Sequence, residues 1–233
     1  MLTIGLLGGM SWESTVPYYR TVNEVVKARL GALHSAKVVL LSVDFAEVER
    51  LQHAGDWDAA GDLLAGAARS LEAAGADFVV LCTNTMHKVA DAIEAAVGIP
   101  LLHIADPTAA AVRAAGLRTV GLLGTRFTME QDFYVGRLEV RHGLTVLTPP
   151  AADRETVHRV IYDELVLGRI LEPSRVAFRR VIDDLVARGA QGVVLGCTEI
   201  SLLVGPEDAS VPLFDTTAIH ATAAAERAIT TGG

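Results

Sequence analysis

An internal repeat constrains this 233-residue chain more than any other feature of its sequence. The segment Ile4-Gly-Leu-Leu-Gly8 returns as Val120-Gly-Leu-Leu-Gly124, 116 positions further on. The segment Val79-Val-Leu81 returns as Val193-Val-Leu195 with an offset of 114 positions. Two repeats in the same order and at nearly the same offset predict a duplicated structural unit.

Short apolar runs alternate along the chain with longer segments of helical character. Apolar runs that end at glycine or polar residues are typical of buried parallel strands. Strands are predicted at residues 2–7, 37–43, 76–81, 100–104, 119–123, 144–148, 192–195 and 211–214. Alternation of strands and helices predicts parallel sheets with right-handed crossovers. The predicted fold class is therefore α/β, with two pseudo-symmetric domains, each a parallel sheet flanked by helices.

The same pattern suggests where the domains divide and where a ligand binds. The first domain is expected to comprise residues 1–98 and 213–233, with the last helix returning to it, and the second residues 99–212. Parallel α/β sheets bind ligands at the carboxyl ends of their strands. The polar turns after predicted strands lie at 8–11, 44–52, 82–87, 124–128 and 196–199. They converge on one ligand only if the domains face each other, so the active site is expected at the domain interface.

The composition excludes several classes of function. A net charge of −8 argues against a nucleic-acid surface, because such a surface needs a basic face. No apolar run approaches 18 residues, no signal peptide is apparent, and the two cysteines lie far apart, so a reducing cytoplasm is the expected location. The cysteines lack the spacing of a zinc site, and none of the three lysines has a setting typical of a Schiff base. Neither a metal nor a pyridoxal cofactor is therefore expected.

Cys197 is a candidate catalytic residue because it lies between the end of a predicted strand and a helix predicted to start at Thr198. The N-terminus of a helix stabilises a thiolate through its dipole and its unpaired amides. The alternative is an inert buried cysteine, since free cysteines are often packing residues. The position of Gly196-Cys-Thr-Glu199 within a repeat favours a functional role.

The repeat makes Thr83, and not Cys82, the counterpart of Cys197, because 114 positions separate Thr83 from Cys197. Neighbouring residues of a strand point to opposite faces, so Cys82 is expected to be a packing residue turned away from the site. Helix-capping residues follow both strands and are expected to leave amides free for a substrate carboxylate. These residues are Asn84, Thr85, Thr198 and Glu199.

Further candidate ligands occupy the other turns. Met10 and Ser11 lie in a strand–glycine–helix turn with the geometry of an anion site, for which a tight turn without a ligand is the alternative. Thr125 lies in the corresponding turn of the second copy, and Gln52 lies beyond the second strand. His87 is interpreted either as a general base or as a capping or packing residue.

These motifs resemble the aspartate/glutamate racemase family. The resemblance spans essentially the whole chain and is carried by Leu-Leu-Gly-Gly-Met10-Ser11, Cys82-Thr-Asn-Thr-Met-His87, Gly124-Thr125 and Gly196-Cys-Thr-Glu199. It implies a pyridoxal-independent enzyme with two pseudo-symmetric α/β domains, commonly a dimer. It also implies a cysteine on each side of the substrate α-carbon, one removing a proton and the other returning one.

The sequence departs from the family pattern at the first of these two positions. The family usually has Cys-Asn-Thr, whereas Thr83 stands immediately before Asn84 in this chain. An arginine and a lysine often hold the distal carboxylate in aspartate racemases. Here Arg50 is only loosely placed for the first role, and residues 162–166 offer no lysine for the second. Gln52 is therefore an alternative ligand for that carboxylate.

The predicted function is cofactor-independent racemisation of aspartate or glutamate. Cys197 as thiolate takes the α-proton, backbone amides hold the α-carboxylate, and Thr83 returns a proton as the weaker partner. A one-cysteine decarboxylase or isomerase of small dicarboxylic acids is one alternative, and a non-catalytic binding protein for acidic amino acids is another. The expected partners are a small acidic amino acid and a second copy in a homodimer, without nucleic acid or membrane.

Overall fold

The computed structural model describes residues 1–230, which contain two parallel β-sheets of four strands each. The strands are β1 (Thr3–Gly8), β2 (Lys37–Ser42), β3 (Phe78–Leu81), β4 (Leu101–Leu102), β5 (Thr119–Gly124), β6 (Thr145–Leu147), β7 (Val193–Gly196) and β8 (Leu213–Asp215). Their order is β2-β1-β3-β4 in one sheet and β6-β5-β7-β8 in the other, and all neighbours are parallel. The predicted α/β fold class is confirmed.

Helices connect the strands, as the alternation of elements predicts. The α-helices are α1 (Trp12–Leu30), α2 (Phe45–Ala54), α3 (Trp57–Ala73), α4 (Ala90–Ala96), α5 (Ala105–Ala114), α6 (Arg126–Glu130), α7 (Ala151–Asp163), α8 (Glu172–Ala187), α9 (Ile200–Leu203) and α10 (Thr216–Thr230). Short 3-10 helices lie at Thr85–Val89, Leu165–Leu167 and Pro206–Asp208, and a π-helical turn lies at Arg137–Arg141. None of the helices within residues 1–230 has both the length and the hydropathy that a membrane span requires.

Three predicted helices are shorter or less regular than expected. The helix expected after the polar turn at 124–128, reaching about Arg141, divides into α6 and a separate π-helical turn. The helix predicted after Cys82 begins as a 3-10 helix, and the one predicted from Thr198 is the four-residue α9. Because a helix dipole sums over aligned peptide units, these short segments provide weaker anion-binding N-termini than the sequence suggested.

The two sheets pair their central strands in the same register. Gly5 pairs with Val79 in the first sheet, and Gly121 pairs with Val193 in the second. The repeat relates these same residues, since the offsets are 116 for the first strand of each pair and 114 for the second. The duplication therefore holds in the backbone pairing as well as in the sequence.

The described residues form two compact units, one of residues 1–104 with the chain from His220 onward and the other of residues 105–219. β4 pairs with β3 in the first sheet, and β8 pairs with β7 in the second. The boundaries drawn from the sequence, 98/99 and 212/213, place both strands in the opposite unit. Strands of two or three residues carry too little pattern to show which sheet they join, because pairing with a neighbouring backbone decides it.

Helix α10 packs on one face of the first sheet. Its buried alanines recur at helical spacing, which gives a smooth apolar stripe: Ala221, Ala224, Ala225 and Ala228. They pack with Ile4 and Leu6 of β1 and with Phe78 and Val80 of β3. The opposite face of this sheet is covered by α3 and α4. Both faces of β1 and β3 are therefore buried, as expected for central strands of a parallel sheet.

An ion pair ties α5 to the segment after α6. Arg137 donates two hydrogen bonds of 2.8 Å to the Asp106 carboxylate, and His142 Nε2 lies 2.8 Å from Asp106 Oδ1. Burial acts to raise the pKa of Asp106, but these hydrogen bonds and the charge of Arg137 outweigh it and lower the pKa to about 2. The carboxylate is therefore ionised at any pH near neutrality.

Candidate active site

Within each unit, the predicted site residues follow the two central strands, with one exception. Gln52 lies on α2, and all the others lie in the turns after β1, β3, β5 and β7. Each of these side chains is at most 8% exposed: Met10, Ser11, Gln52, Thr83, Asn84, Thr85, Thr125, Cys197, Thr198 and Glu199. Buried polar side chains require partners, and those partners indicate what each residue does.

The turn after β1 depends on a glycine and a helix cap. Gly9 has φ of +92°, and a Cβ atom there would lie 2.3 Å from the Val43 carbonyl oxygen, so a side chain does not fit. The Gly9 amide donates to Thr15 Oγ1 at 2.9 Å. Ser11 Oγ accepts from the Ser14 amide at 3.4 Å, which makes Ser11 the N-cap of α1.

Thr125 repeats the role of Ser11 in the second unit. Its side chain accepts from the Thr128 amide at 3.4 Å and is the N-cap of α6. Both hydroxyls therefore serve the backbone three residues ahead, as N-cap residues do. The match makes Ser11 the counterpart of Thr125 in the first copy.

Cys82 is a core residue. Its side chain is fully buried among apolar residues of β1, α1 and α10, and its thiol lies 3.5 Å from the Val80 carbonyl oxygen. Burial raises the pKa of the Cys82 thiol far above its ordinary value. A thiol in this setting is a poor base and a poor nucleophile, so the expectation that Cys82 is a packing residue agrees with the structure.

Thr83 lies two residues beyond the end of β3. Its amide donates to the Leu81 carbonyl at 2.9 Å, and the 3-10 helix begins two residues later. Within residues 1–230, Thr83 Oγ1 makes no hydrogen bond. The hydroxyl is therefore available to a bound molecule, unlike the hydroxyls of Ser11 and Thr125, which cap helices.

His87 engages both of its ring nitrogens with the backbone. Nδ1 lies 2.7 Å from the Thr83 carbonyl oxygen, and Nε2 lies 3.1 Å from the Ile104 amide nitrogen. A ring with both nitrogens occupied does not take a proton from a substrate. Of the two interpretations drawn from the sequence, the structural one therefore fits, and the general base does not.

Gln52 is buried within α2 rather than exposed in a turn. Its Nε2 lies 2.8 Å from Met86 Sδ. Asp44 is the N-cap of this helix, so the segment 44–52, expected as a polar turn, is helical. Gln52 thus lies next to the 3-10 helix that follows Thr83, although the sequence separates the two segments by more than thirty residues.

Cys197 directly follows β7 and contacts a carboxylate. Its Sγ lies 3.1 Å from Glu199 Oε2, and Thr198 Oγ1 donates to the same oxygen at 2.7 Å. Glu199 precedes α9 but does not cap it with its side chain, which instead turns back towards the thiol. The ends of β5 and β7 approach each other closely at Gly124 and Gly196. A Cβ on Gly124 would lie 2.8 Å from the Gly196 carbonyl oxygen, so a larger residue does not fit there.

The backbone amides at the helix start act on Cys197 in the expected direction, but other effects outweigh them. Burial, followed by the charge of Glu199, raises the pKa of the Cys197 thiol well above its ordinary value. The amides of Glu199 and Ile200 act in the opposite direction but do not outweigh these effects. The resting residue is a thiol that donates its proton to Glu199. A base adjacent to a thiol is one of the recognised ways to activate it.

The described residues offer no evident metal site. Nowhere in residues 1–230 are three His, Cys, Asp or Glu side chains grouped in a way that could hold a metal ion. The two cysteines are free thiols. Their surroundings differ, because Cys82 lies among apolar side chains whereas Cys197 lies next to the Glu199 carboxylate.

Sequence comparison identifies the family. A family model described as Asp/Glu/Hydantoin racemase matches residues 7–224, which is nearly the whole chain. The chain therefore belongs to the Asp/Glu/hydantoin racemase family, and it is an amino-acid racemase, an isomerase. The resemblance drawn from the sequence motifs is confirmed.

Individual relatives agree with this assignment. A putative Asp/Glu racemase from Yersinia pestis is 63% identical with a TM-score of 0.92, covering 99% of this chain and 100% of the relative. An aspartate racemase homologue from Pyrococcus horikoshii OT3 is 34% identical with a TM-score of 0.84, covering 98% and 100%. The broad specificity amino-acid racemase RacX from Bacillus subtilis (strain 168) is 22% identical over 92% of this chain and 93% of its own length.

Proposed function

We propose that this racemase interconverts the enantiomers of aspartate or glutamate without a cofactor. The observation that carries the proposal is the 3.1 Å contact between Cys197 Sγ and Glu199 Oε2 at the end of β7. Thr83, with an available hydroxyl, occupies the corresponding end of β3. The proposal assigns Cys197 and Thr83 to one substrate α-carbon, as the two groups that exchange its proton.

Glu199 is the proposed proton acceptor for Cys197. The thiol proton moves to the Glu199 carboxylate as the sulfur takes the α-proton of the substrate. This order avoids a resting thiolate, which burial and the neighbouring carboxylate both disfavour. It also changes the role of Glu199 from the substrate ligand expected from the sequence to a partner of the catalytic thiol.

Thr83 is the proposed donor on the other side. Its hydroxyl gives a proton to the α-carbanion. The Thr83 oxygen then takes a proton from solvent water, and Glu199 releases its proton to the hydroxide formed, which restores both groups. A hydroxyl is a weak base at neutral pH, so removal of an α-proton by Thr83 is the slower direction of exchange. The two sides of the site are thus chemically unequal.

Backbone amides are the proposed ligands of the substrate carboxylate. The candidates are those of Met10, Ser11, Asn84 and Thr85, in the turns after the neighbouring strands β1 and β3. Charge develops on this carboxylate as the α-proton leaves, so fixed amide donors stabilise the transition state more than the substrate. Thr125 and Thr198 are proposed to line the same site, and Gln52 to act on the side-chain carboxylate.

The relatives support the substrate class. An aspartate racemase homologue is 34% identical over nearly the whole chain, which favours acidic amino acids. A broad specificity racemase among the relatives makes a wider panel of amino acids worth testing. Assembly as a homodimer and a cytoplasmic location are part of the proposal, and the first is checked by light scattering of the purified protein.

The test is exchange of the α-proton in deuterated water. The protein is incubated with each enantiomer of aspartate, glutamate and a panel of neutral and basic amino acids, and the α-proton signal is followed by NMR. We expect exchange and racemisation with aspartate or glutamate, and neither in a Cys197→Ala control. Exchange confined to neutral or basic amino acids would refute the substrate class. Binding of acidic amino acids without any exchange would identify a binding protein instead.

A further inference from the structure

We propose that His87 is a positioning residue that fixes the Thr83–Asn84 peptide, so that its N–H is aimed at the substrate carboxylate. The inference rests on the proposed function and extends it to a residue that does not touch the substrate. It starts from a hydrogen-bonding pattern that leaves the imidazole only one protonation state.

The partners of His87 determine its tautomer. A backbone amide can only donate, so Nε2, which lies 3.1 Å from the Ile104 amide nitrogen, accepts a hydrogen bond and carries no proton. A carbonyl oxygen can only accept, so Nδ1, which lies 2.7 Å from the Thr83 carbonyl oxygen, carries the proton and donates it. The ring is therefore neutral, with its proton on Nδ1.

The ring is held in place by its surroundings. His87 is 2% exposed, and the His103 ring packs against it with a centroid distance of 4.3 Å. His220 lies at 6.1 Å and is itself anchored, by Tyr18 Oη at 2.9 Å and by the Leu102 carbonyl oxygen at 2.8 Å. An imidazole packed in this way has little freedom to rotate, so its Nδ1–H is a fixed donor.

The hydrogen bond from His87 Nδ1 to the Thr83 carbonyl fixes the orientation of the peptide unit that joins Thr83 to Asn84. The Thr83 carbonyl and the Asn84 N–H belong to the same peptide unit, and in a trans peptide these two groups point in opposite directions. Holding the carbonyl on His87 therefore aims the Asn84 N–H away from the histidine. This N–H is one of the proposed donors to the substrate carboxylate. The same bond fixes the backbone from which the Thr83 hydroxyl extends.

His87 also links the turn after β3 to the segment that follows β4. Its backbone amide donates to the Asn84 carbonyl at 3.1 Å within the turn, and its ring reaches Ile104, which follows β4. The turn after β3 is thereby tied to the neighbouring strand end. A group acting in this way affects catalysis through the geometry of the turn and takes no part in proton transfer.

Two substitutions of His87 each remove one of its two ring hydrogen bonds and keep the other. The amide of His87→Asn reaches the place of Nδ1, so this variant keeps a donor for the Thr83 carbonyl and loses the contact with Ile104. The amide of His87→Gln reaches the place of Nε2, so that variant keeps an acceptor for Ile104 and loses the donor. We expect kcat/KM to fall tenfold or more in His87→Gln and to stay within about threefold of the native value in His87→Asn. His53→Gln, on a side chain that is 89% exposed, is the matched control.

The tautomer provides a test that does not depend on activity or on a variant that folds. In the native protein, ¹⁵N NMR of the histidine rings should show His87 protonated at Nδ1 alone. A ring protonated at Nε2, or equal losses of kcat/KM in His87→Gln and His87→Asn, would overturn the proposal. A native protein that exchanges no amino-acid α-proton would instead refute the proposed function, which keeps the two failures distinct.

Discussion

Replacing Glu199 by glutamine tests the proposed activation of Cys197. The substitution should make the thiol easier to alkylate and should lower the turnover of the enzyme. Oε2 of Glu199 lies 3.1 Å from Cys197 Sγ, and both residues are buried. Two unit charges at this separation repel by about 5 kcal/mol at the effective dielectric constant of about 20 that describes protein sites. After burial, this repulsion is the main reason why the pKa of the Cys197 thiol is raised.

The first expected effect of Glu199→Gln is a more acidic thiol. The substitution removes the charge and the acceptor that help to raise the pKa of Cys197, so the pKa falls back towards its ordinary value, although burial still acts to raise it. Alkylation by iodoacetamide, which requires the thiolate, should become faster at neutral pH, and its pH profile should shift to lower pH. Cys82 does not interfere, because it is fully buried and burial strongly raises its pKa.

The second expected effect is a loss of turnover. Without the carboxylate, the thiol proton has no adjacent acceptor when the sulfur takes the α-proton. General acid–base catalysis contributes roughly 10²- to 10⁴-fold, so kcat should fall by that factor, which corresponds to a barrier that is about 3–5 kcal/mol higher. Glu207→Gln, an exposed carboxylate in the same part of the chain, is the control and should change neither property.

The outcomes of this experiment discriminate between roles for Glu199. Faster alkylation with lower turnover supports Glu199 as the proton acceptor. Unchanged turnover in Glu199→Gln would refute that role, whatever happens to the alkylation rate. A lower kcat/KM caused mainly by a higher KM would return Glu199 to the substrate-binding role expected from the sequence.

Three further predictions follow from the described contacts. Cys197→Ala should abolish α-proton exchange, whereas Cys82→Ala should keep most of it and lose roughly 1 kcal/mol of stability in denaturant unfolding; equal losses of activity would restore a two-thiol mechanism. Thr83→Cys should make deuterium exchange from the two enantiomers faster and more nearly equal than in the native protein, and equal exchange in the native protein would contradict Thr83 as the weak partner. The lowered pKa of Asp106, about 2 against an ordinary 3.8, is a contribution to stability that is present above pH 4 and lost as the pH falls towards 2. Because the carboxylate is partly exposed, we expect about 1–2 kcal/mol, measured as a smaller acid destabilisation in Asp106→Asn than in the native protein; parallel acid profiles would show that the Arg137 pair contributes little.

Local patterns were sufficient to predict much of the fold. Apolar runs such as 4–8 and 120–124 are short, contain glycine and end in polar turns, which is what a strand buried on both faces requires. Failures occurred where the local signal was weak. β4 and β8 have two and three residues, and α9 has four, so contacts with distant segments decide what these residues form.

For the candidate site as well, the sequence predicted some features and not others. The repeat predicted that Thr83 corresponds to Cys197, and the common strand register agrees with that correspondence. The repeat did not predict that a carboxylate would turn back onto Cys197, because glutamate at a helix start is ordinarily read as a cap or a surface residue. The spacing of Cys197 and Glu199, two apart at a strand end, was the available signal.

The sequence by itself determined the duplicated α/β architecture, the racemase family and the identity of the two corresponding strand-end residues, because these depend on patterns that are local and repeated. The tertiary structure decided the chemical state of the groups. Burial together with Glu199 keeps Cys197 a thiol, and the Thr83 carbonyl and the Ile104 amide give His87 a single tautomer. Protonation depends on which charges, donors and acceptors lie within a few ångströms, and these come from segments whose proximity only the folded chain establishes.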